Sequence, residues 1–411
     1  MDLSAFCQNN LLYTQESLSR YKPGGYHPVT LGDTFKHGRY EIHHKLGYGG
    51  FSTVWLAKDR ERDQWVSLKI MTANASESGE LRNLRLLQNH AGGSLSSKYI
   101  VQLLDDFTHD GPNGVHQCLV FELLGPTVDM VLRDYHEGHD KLEPEDILRM
   151  STQLLKAVRF IHSAGMCHGG KRVLSYGGLV VWRSCTNLVS DISGRNMAFT
   201  CNTLLNSLDK EFFDVLGFPK IELLARIDGA PLDNGLPTQL VEAAEWVDWT
   251  DEDVEDIRLL DFGESFLKGE QPEKLAQPDN LRVPETLFTD CFDYRLDLWR
   301  AGCMIYAFVF TIYPFWFDEE EYLVFQMIGF VERLPVEWES QWKEMKTRSG
   351  RDLEIKEDHE MSKFERKFAK NVHDPELQPL LPVAQRLIRF LPASRISAAE
   401  ALEMLCDKTQ E

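Results

Sequence analysis

Lys45–Ile70 reads KLGYGGFSTVWLAKDRERDQWVSLKI. Ser52–Ala57 and Gln64–Ile70 alternate with period two and are rich in β-branched and aromatic residues, so both are predicted strands. The polar run Asp59–Asp63 is the turn between them. Ahead of the first strand stands Gly47-Tyr48-Gly49-Gly50. Glycines at a strand-to-strand bend let backbone N–H groups approach an anion with no Cβ in the way. The second strand ends in Val66-Ser67-Leu68-Lys69, where a lysine between apolar neighbours needs a partner for its ammonium. A glycine flap followed by a strand lysine is one way of handling phosphates. It is not a P-loop, because no Gly-Lys-Ser/Thr run opens a helix. Taken alone, the stretch is equally a hairpin with a solvated lysine.

Composition narrows the choice. The chain has 411 residues, enough for two lobes around one cleft. An apolar content of 43% and a charged content of 26% describe a soluble globular protein. With no signal peptide and no apolar run long enough for a bilayer, the expected place is inside the cell, in cytoplasm or nucleus, with no membrane partner. Cys7, Cys118, Cys167, Cys185, Cys201, Cys291, Cys303 and Cys406 show no paired spacing and are expected to be mostly reduced thiols. The net charge of -20 disfavours direct contact with nucleic acid and suits a basic partner, although solubility alone also accounts for it.

Upstream of the flap lie Tyr21–Val29 (YKPGGYHPV), Leu31-Gly32-Asp33-Thr34-Phe35 and Arg39-Tyr40. With KLGYGGFSTVWLA, these strings resemble the entry to SR-protein kinases, which phosphorylate serines in arginine–serine repeats of splicing factors. The resemblance runs from about Tyr21 to about Leu405, and, as in that branch, the third flap glycine is replaced, here by Ser52. It implies an α+β, bilobal protein-kinase fold with a small, mainly β N-lobe (40–124) and a larger, mainly α C-lobe (125–405), between an N-terminal arm (1–39) and a tail (406–411). It also implies ATP and Mg²⁺ as cofactors, basic Arg/Ser-rich proteins as substrates, and a monomer. Nucleotide would lie under Leu46, Gly47, Tyr48, Gly49, Gly50, Phe51, Ser52 and Val54. Met1–Ser19 is polar with scattered apolar residues and is expected to be a loose arm.

Ser76–Asn89 carries Glu80, Leu81, Leu84 and Leu87 at helical spacing. By resemblance Glu80 pairs with Lys69 and holds it on the α- and β-phosphates; otherwise it is a solvated helix glutamate. Ile100–Phe107 and Gln117–Leu123 alternate as strands. The hinge follows at Phe121–Leu124, with Glu122 and Leu124 at the adenine and Phe121 at the back of the pocket. Pro144, with Glu143, Glu145 and Asp146 around it, starts a helix whose apolar stripe is Ile147, Leu148, Leu154, Leu155, Val158 and Ile161, and Gly165 ends it.

His168-Gly169 should lead directly into a catalytic loop, but GKRVLSYGGLVVWRSCTNLVS (170–190) intervenes before Asp191-Ile192-Ser193-Gly194-Arg195-Asn196. Without the insert the string becomes H-G-D-I-S-G-R-N, which matches the kinase H-x-D-x-x-x-x-N spacing. Asp191 would then orient the substrate hydroxyl and accept its proton, and Asn196 would reach Mg²⁺. Two explanations stay open. The insert is a surface excursion, or it is translated intron: Gly170-Lys171 can encode a GTAAG-like donor and Thr186-Asn187-Leu188 a CTAAC-like branch point. Leu179-Val180-Val181-Trp182 is too apolar for an exposed loop, which favours the intron and puts His168 at risk of displacement. Two further departures from the family are Gly169, where an arginine is usual, and Ser193, where a lysine normally helps neutralise the transferred phosphoryl group.

Cys201–Asp256 is a spacer of a kind that SR-protein kinases also carry, with a short helix expected over Glu211–Gly217. Its acidic end, EAAEWVDWTDEDVED (242–256), is either a solvated loop or an attractor for arginine-rich peptide. Ile257–Leu260 is an apolar strand ending in Asp261-Phe262-Gly263, and by resemblance Asp261 is the second Mg²⁺ ligand. Glu264–Arg282 is the activation segment, with Ser265 and Thr286 nearby as weak phosphosites. Asp297-Leu298-Trp299-Arg300-Ala301-Gly302 matches the family's D-x-W-x-x-G helix, whose aspartate braces the catalytic loop. Cys303–Phe315 continues as an apolar core helix, and Arg395 is expected to pair with Glu285. The leading expectation is an SRPK-like serine/threonine kinase with Asp191, Lys69 and Glu80 catalytic, and Asn196 and Asp261 on metal. The alternative is a pseudokinase or nucleotide-binding scaffold, resting on Gly169, Ser193 and the interrupted loop.

Overall fold

The computed structural model describes residues 1–75, 79–93, 95–169, 191–206, 209–273, 275, 277, 279–289, 291–317, 319–350, 353 and 360–406. The insert at 170–190, with Cys185 and the apolar Leu179–Trp182, lies outside the described residues. The N-terminal sheet comprises β1 (Thr34–Phe35), β2 (Tyr40–Tyr48), β3 (Ser52–Asp59), β4 (Gln64–Met71), β5 (Leu103–Gly111) and β6 (Gly114–Glu122), in the antiparallel order β1-β2-β3-β4-β6-β5. Period two sets its faces. Val66, Leu68 and Ile70 of β4 enter the core with Trp55, Ala57, Cys118 and Val120. Ser67 and Lys69 therefore face the other way, into a cleft. The flap is the β2–β3 bend, where Gly49 N–H donates to Ser52 O at 2.7 Å. Beneath the sheet runs α2 (Gly79–Ala91), whose Glu80, Leu84 and Leu87 lie on the buried face.

The second lobe is mostly helical. The chain crosses through β7 (Leu124–Thr127) and α3 (Val128–Glu137) into α4 (Pro144–Ser163). Pro144 lies in the first turn of α4 with Glu145 and Asp146, and Gly165 leaves it at φ +71°. After β8 (Met166–Cys167), strands β9 (Met197–Thr200) and β12 (Ile257–Leu259) pair in the order β12-β9-β7. Between β9 and β12 lie α5 (Asn202–Leu205), α6 (Asp209–Leu216), β10 (Ile221–Leu223) and β11 (Gln239–Val241). Strand β13 (Phe266–Leu267) pairs with β8. Helix α7 (Glu285–Phe288) precedes the central α8 (Leu296–Phe310), whose residues 296–309 are all buried. Against it pack α4 and α12 (Leu380–Leu387), with α13 (Ala398–Cys406) on both of these; α11 (Lys363–Asn371) meets Tyr306 and Phe310 of α8 through Phe364 and Phe368, and α9 (Glu320–Met327) packs with α10 (Glu339–Ser349). The apolar run was expected to stay helical to Phe315. It stops at Phe310, because Thr311 turns left-handed at φ +56°. Arg395 holds Glu285 through two bonds of 2.8 and 2.5 Å, as expected.

The arm corrects the expectation of a loose terminus. Leu11 and Leu12 of the short helix α1 (Leu11–Thr14), with Leu18, Tyr21 and Tyr26, form a buried cluster with Leu224, Leu236 and Leu240 of the spacer. Glu16 accepts from Tyr21 Oη at 2.6 Å and from the buried Lys45 ammonium, which also donates to Val241 O at 3.2 Å. Scattered apolar residues look solvated only while their partners, some two hundred positions away, are out of view.

His27 of the arm packs against His109 and His116 of the β5–β6 hairpin, with ring centroids at 4.6 and 5.0 Å. Burial, and then the two neighbouring imidazoles, push the His27 pKa down to about 3. Burial also lowers the pKa of His109 and His116. The unfolded chain takes up these protons below about pH 6.5 while the folded chain refuses them, so stability rises with pH across this window. His27 alone should cost about 2 kcal/mol of stability by pH 5. Melting wild type and His27→Leu from pH 8 to 5 checks this: the wild type should lose more, and parallel curves would refute it.

Candidate active site

A cavity of about 1740 Å³ lies between the lobes, roofed by the flap. Leu46, Gly47, Tyr48, Gly49, Gly50, Phe51, Ser52, Val54, Lys69, Glu122 and Leu124 line it, as do Phe121, Glu80, Asn196 and Asp261. Leu46 and Val54 from the sheet and Leu124 and Ala198 from the hinge side supply apolar walls that suit a flat base. The Glu122 carboxylate is engaged with the protein: it accepts from Gln102 N–H at 2.9 Å and lies 3.5 Å from the Arg258 guanidinium.

Lys69 Nζ sits 2.8 and 2.7 Å from the two Glu80 oxygens and 3.2 Å from Asp261 Oδ1. Burial opposes the ammonium, but Asp261 and Glu80 outweigh it and hold the lysine pKa above its ordinary value. Asp261 stands at φ +57°, a left-handed conformation that aspartate tolerates. Behind it the Phe262 ring is buried against His168, with centroids at 4.8 Å, and Asn83 of α2 donates to the carbonyls of Phe262 and Ser265 at 2.9 Å each. Helix α2 is thereby tied to both the lysine and the Asp261–Gly263 turn.

Asp191 is 1% exposed. Asn196 Nδ2 donates to its carbonyl at 3.0 Å and to its Oδ1 at 3.1 Å, while Oδ2 has no hydrogen-bond partner among the described residues. Burial pushes the Asp191 carboxyl up to about 6, against the charge of Arg300 and hydrogen bonds from Ser193 and Asn196. Gly194 permits the tight turn between these residues. A Cβ there would lie 3.0 Å from Asp129 N and 3.1 Å from Tyr313 Oη, to which Gly194 N–H donates. His168, expected to be at risk, is held firmly: its N–H donates to Asp297 Oδ2 at 2.8 Å and its ring Nε2 meets Leu260 O at 2.8 Å.

The donor set suits a hard cation: a carboxylate on Asp261 and an amide oxygen on Asn196, whose Nδ2 is committed to Asp191. Among the described residues no three His, Cys, Asp or Glu could hold a metal by themselves. A cation at Asn196 and Asp261 would therefore draw its remaining ligands from the substrate.

Several site features were not legible in the chain. Trp246, in the acidic end of the spacer, lines the cavity, and Trp249 beside it packs over Gly125, where a Cβ would come within 2.9 Å of the indole. The acidic run is not simply solvated. Glu255 is buried and accepts from Thr203 N–H at 2.7 Å, Glu252 accepts from Tyr135 Oη at 2.6 Å, and Asp256 meets Lys98 at 3.3 Å. The flap is fastened from outside, since Tyr26 Oη donates to Gly49 O and Arg20 to Gly50 O. Ser265 and Thr286 spend their hydroxyls on the carbonyls of His168 and Val283, at 3.0 and 2.8 Å. Only the YKPGGYHPV string hinted that the arm belongs to the site.

The Protein kinase domain family matches residues 40–169, ending where the insert begins. Protein kinase dsk1 of Schizosaccharomyces pombe is 40% identical over 159 residues, 38% of this chain and 29% of that protein. Serine/threonine-protein kinase SRPK of Physarum polycephalum is 27% identical over 308 residues, 71% of this chain and 65% of that protein, so the likeness runs past Gly169. SRSF protein kinase 3 of Homo sapiens is 36% identical over 154 residues, 36% of this chain and 26% of that protein. The chain thus spans less than two thirds of the length of each of these relatives.

Proposed function

We propose, since this chain belongs to the SRPK-like family of protein kinases, that it transfers the γ-phosphoryl group of ATP to serine, and to threonine, in arginine/serine-rich proteins such as splicing factors. The observation that carries this reading is Lys69, held between Glu80 and Asp261 under the glycine flap. An ammonium in that place is aimed at phosphate oxygens and cannot swing away while α2 stays docked. The substrate class draws on the names of the relatives and on the net charge of -20, which suits a basic partner.

Leu46, Val54, Leu124 and Ala198 bind the base and exclude water from its faces. The flap N–H groups and Lys69 hold the phosphates. Asp261 and the Asn196 amide oxygen are the residues that would hold Mg²⁺, which when bound offsets charge on the transferred group. Asp191 orients the incoming hydroxyl and takes its proton on Oδ2 as the oxygen bonds to phosphorus and the bond to the β-phosphate oxygen breaks.

The test incubates the full chain, and the chain lacking residues 170–190, with radiolabelled ATP, Mg²⁺ and an arginine–serine peptide. Label on serine, absent from a peptide with alanine in its place, is the expected result. Transfer only by the shortened chain would point to translated intron. Nucleotide binding without transfer by either chain would replace the enzyme with a nucleotide-binding scaffold.

A further inference from the structure

Helix α8 carries a guanidinium into the centre of the second lobe. Arg300 is 0% exposed in a helix that is otherwise almost wholly apolar. Burying a charge costs several kcal/mol unless hydrogen bonds and opposite charge offset it. Its hydrogen bonds go to main chain: Nη1 donates to Gly169 O, and Nε to Leu281 O at 3.5 Å. Nη2 has no partner among the described residues, and the same holds for Asp191 Oδ2.

The main chain of Gly169 is gripped on both sides, at its N–H and at its carbonyl, by one turn of α8. Its N–H donates to Asp297 Oδ1 at 3.2 Å, and its carbonyl accepts from Arg300, three residues further along the helix. Gly169 itself stands at φ +74°, and a Cβ there would lie 2.6 Å from the Phe266 ring. An arginine at position 169, which the family resemblance leads one to expect, would not fit this backbone without moving Phe266. The cation missing from positions 169 and 193 has a counterpart arriving from α8, at the Gly169 carbonyl.

We propose that Arg300 is a positioning residue for phosphotransfer: its fork fixes the carbonyls of Gly169 and Leu281, and so holds the His168-Gly169 segment and the end of the activation segment in one arrangement. This rests on the kinase reading above for its catalytic consequence, but not for its geometry. Arginine suits the task because a rigid planar fork can serve two carbonyls at once, whereas a lysine ammonium on a flexible stem cannot hold both in fixed geometry.

The experiment uses full-length Arg300→Met and Arg300→Lys. A charge that was merely buried predicts that Arg300→Met keeps kcat and melts at the same or a higher temperature. A positioning fork predicts a fall in kcat on the order of 10- to 100-fold with KM for ATP within about twofold, and a smaller fall for Arg300→Lys. Hydrogen exchange at the His168, Gly169 and Val283 amides should rise about tenfold in both variants, with the melting temperature little changed. If Arg300→Met does not fold, Arg300→Lys is read by the same criteria. Wild-type kcat and exchange in Arg300→Lys, or in a folded Arg300→Met, overturn the proposal. Should the wild type transfer no phosphate, the kinase reading fails, and the amide exchange alone decides the fork.

Discussion

Replacing Asp191 with asparagine is expected to lower kcat for phosphotransfer by on the order of 10²- to 10⁴-fold, with KM for ATP near its wild-type value. The side chain is almost the same size, and Asn196 can still donate to its Oδ1 and to the main-chain carbonyl. What changes is Oδ2, the atom without a partner among the described residues, which becomes an NH₂ and can no longer accept a proton. The cavity-lining residues proposed above to hold the nucleotide lie elsewhere, on the flap, Lys69 and Leu124, so ground-state binding should hardly move. Steady-state kinetics on an arginine–serine peptide give both constants. A variant with more than about a tenth of wild-type kcat would remove Asp191 from the reaction.

The second large effect concerns Lys69. Lys69→Met should abolish transfer and also destabilise the chain by about 3–5 kcal/mol, because Glu80 is left buried without its cation. Asp261, 3.2 Å from the same ammonium, would then face Glu80 with nothing between them. Glu80→Leu should cost less, since Lys69 keeps Asp261. The double variant Lys69→Met/Glu80→Leu should recover most of the stability and none of the activity, because two apolar side chains pack where a pair was broken. Thermal melts of the four proteins, read as a double-mutant cycle, supply the coupling. Additive losses of stability would mean that the pair is solvated, and activity in the double variant would mean that Lys69 does not touch phosphate.

The strands, the flap and the helix starts were legible because each follows from neighbours in the chain. Alternation at Val66, Leu68 and Ile70 places Lys69 on the opposite face, and Pro144 with two acids opens α4. The pairs Lys69–Glu80 and Glu285–Arg395 were legible through family resemblance, not through spacing. The acidic run at 242–256 was ambiguous for a physical reason. A carboxylate looks the same in a string of letters whether it meets water, as Asp248 can, or the Thr203 N–H, as Glu255 does.

Local chemistry, then, was enough to establish the hairpin, its glycine flap, the strand lysine and the helix starts, because backbone preference and side-chain period act over a few residues, while the two-lobed α+β fold was legible only through the family resemblance. Packing alone revealed that the arm closes over the spacer, that Trp246 reaches the cavity between the lobes, and that Arg300 reaches the Gly169 carbonyl. Those contacts join segments more than a hundred residues apart. Burial and Coulomb forces depend on distance in space, which the order of residues does not state.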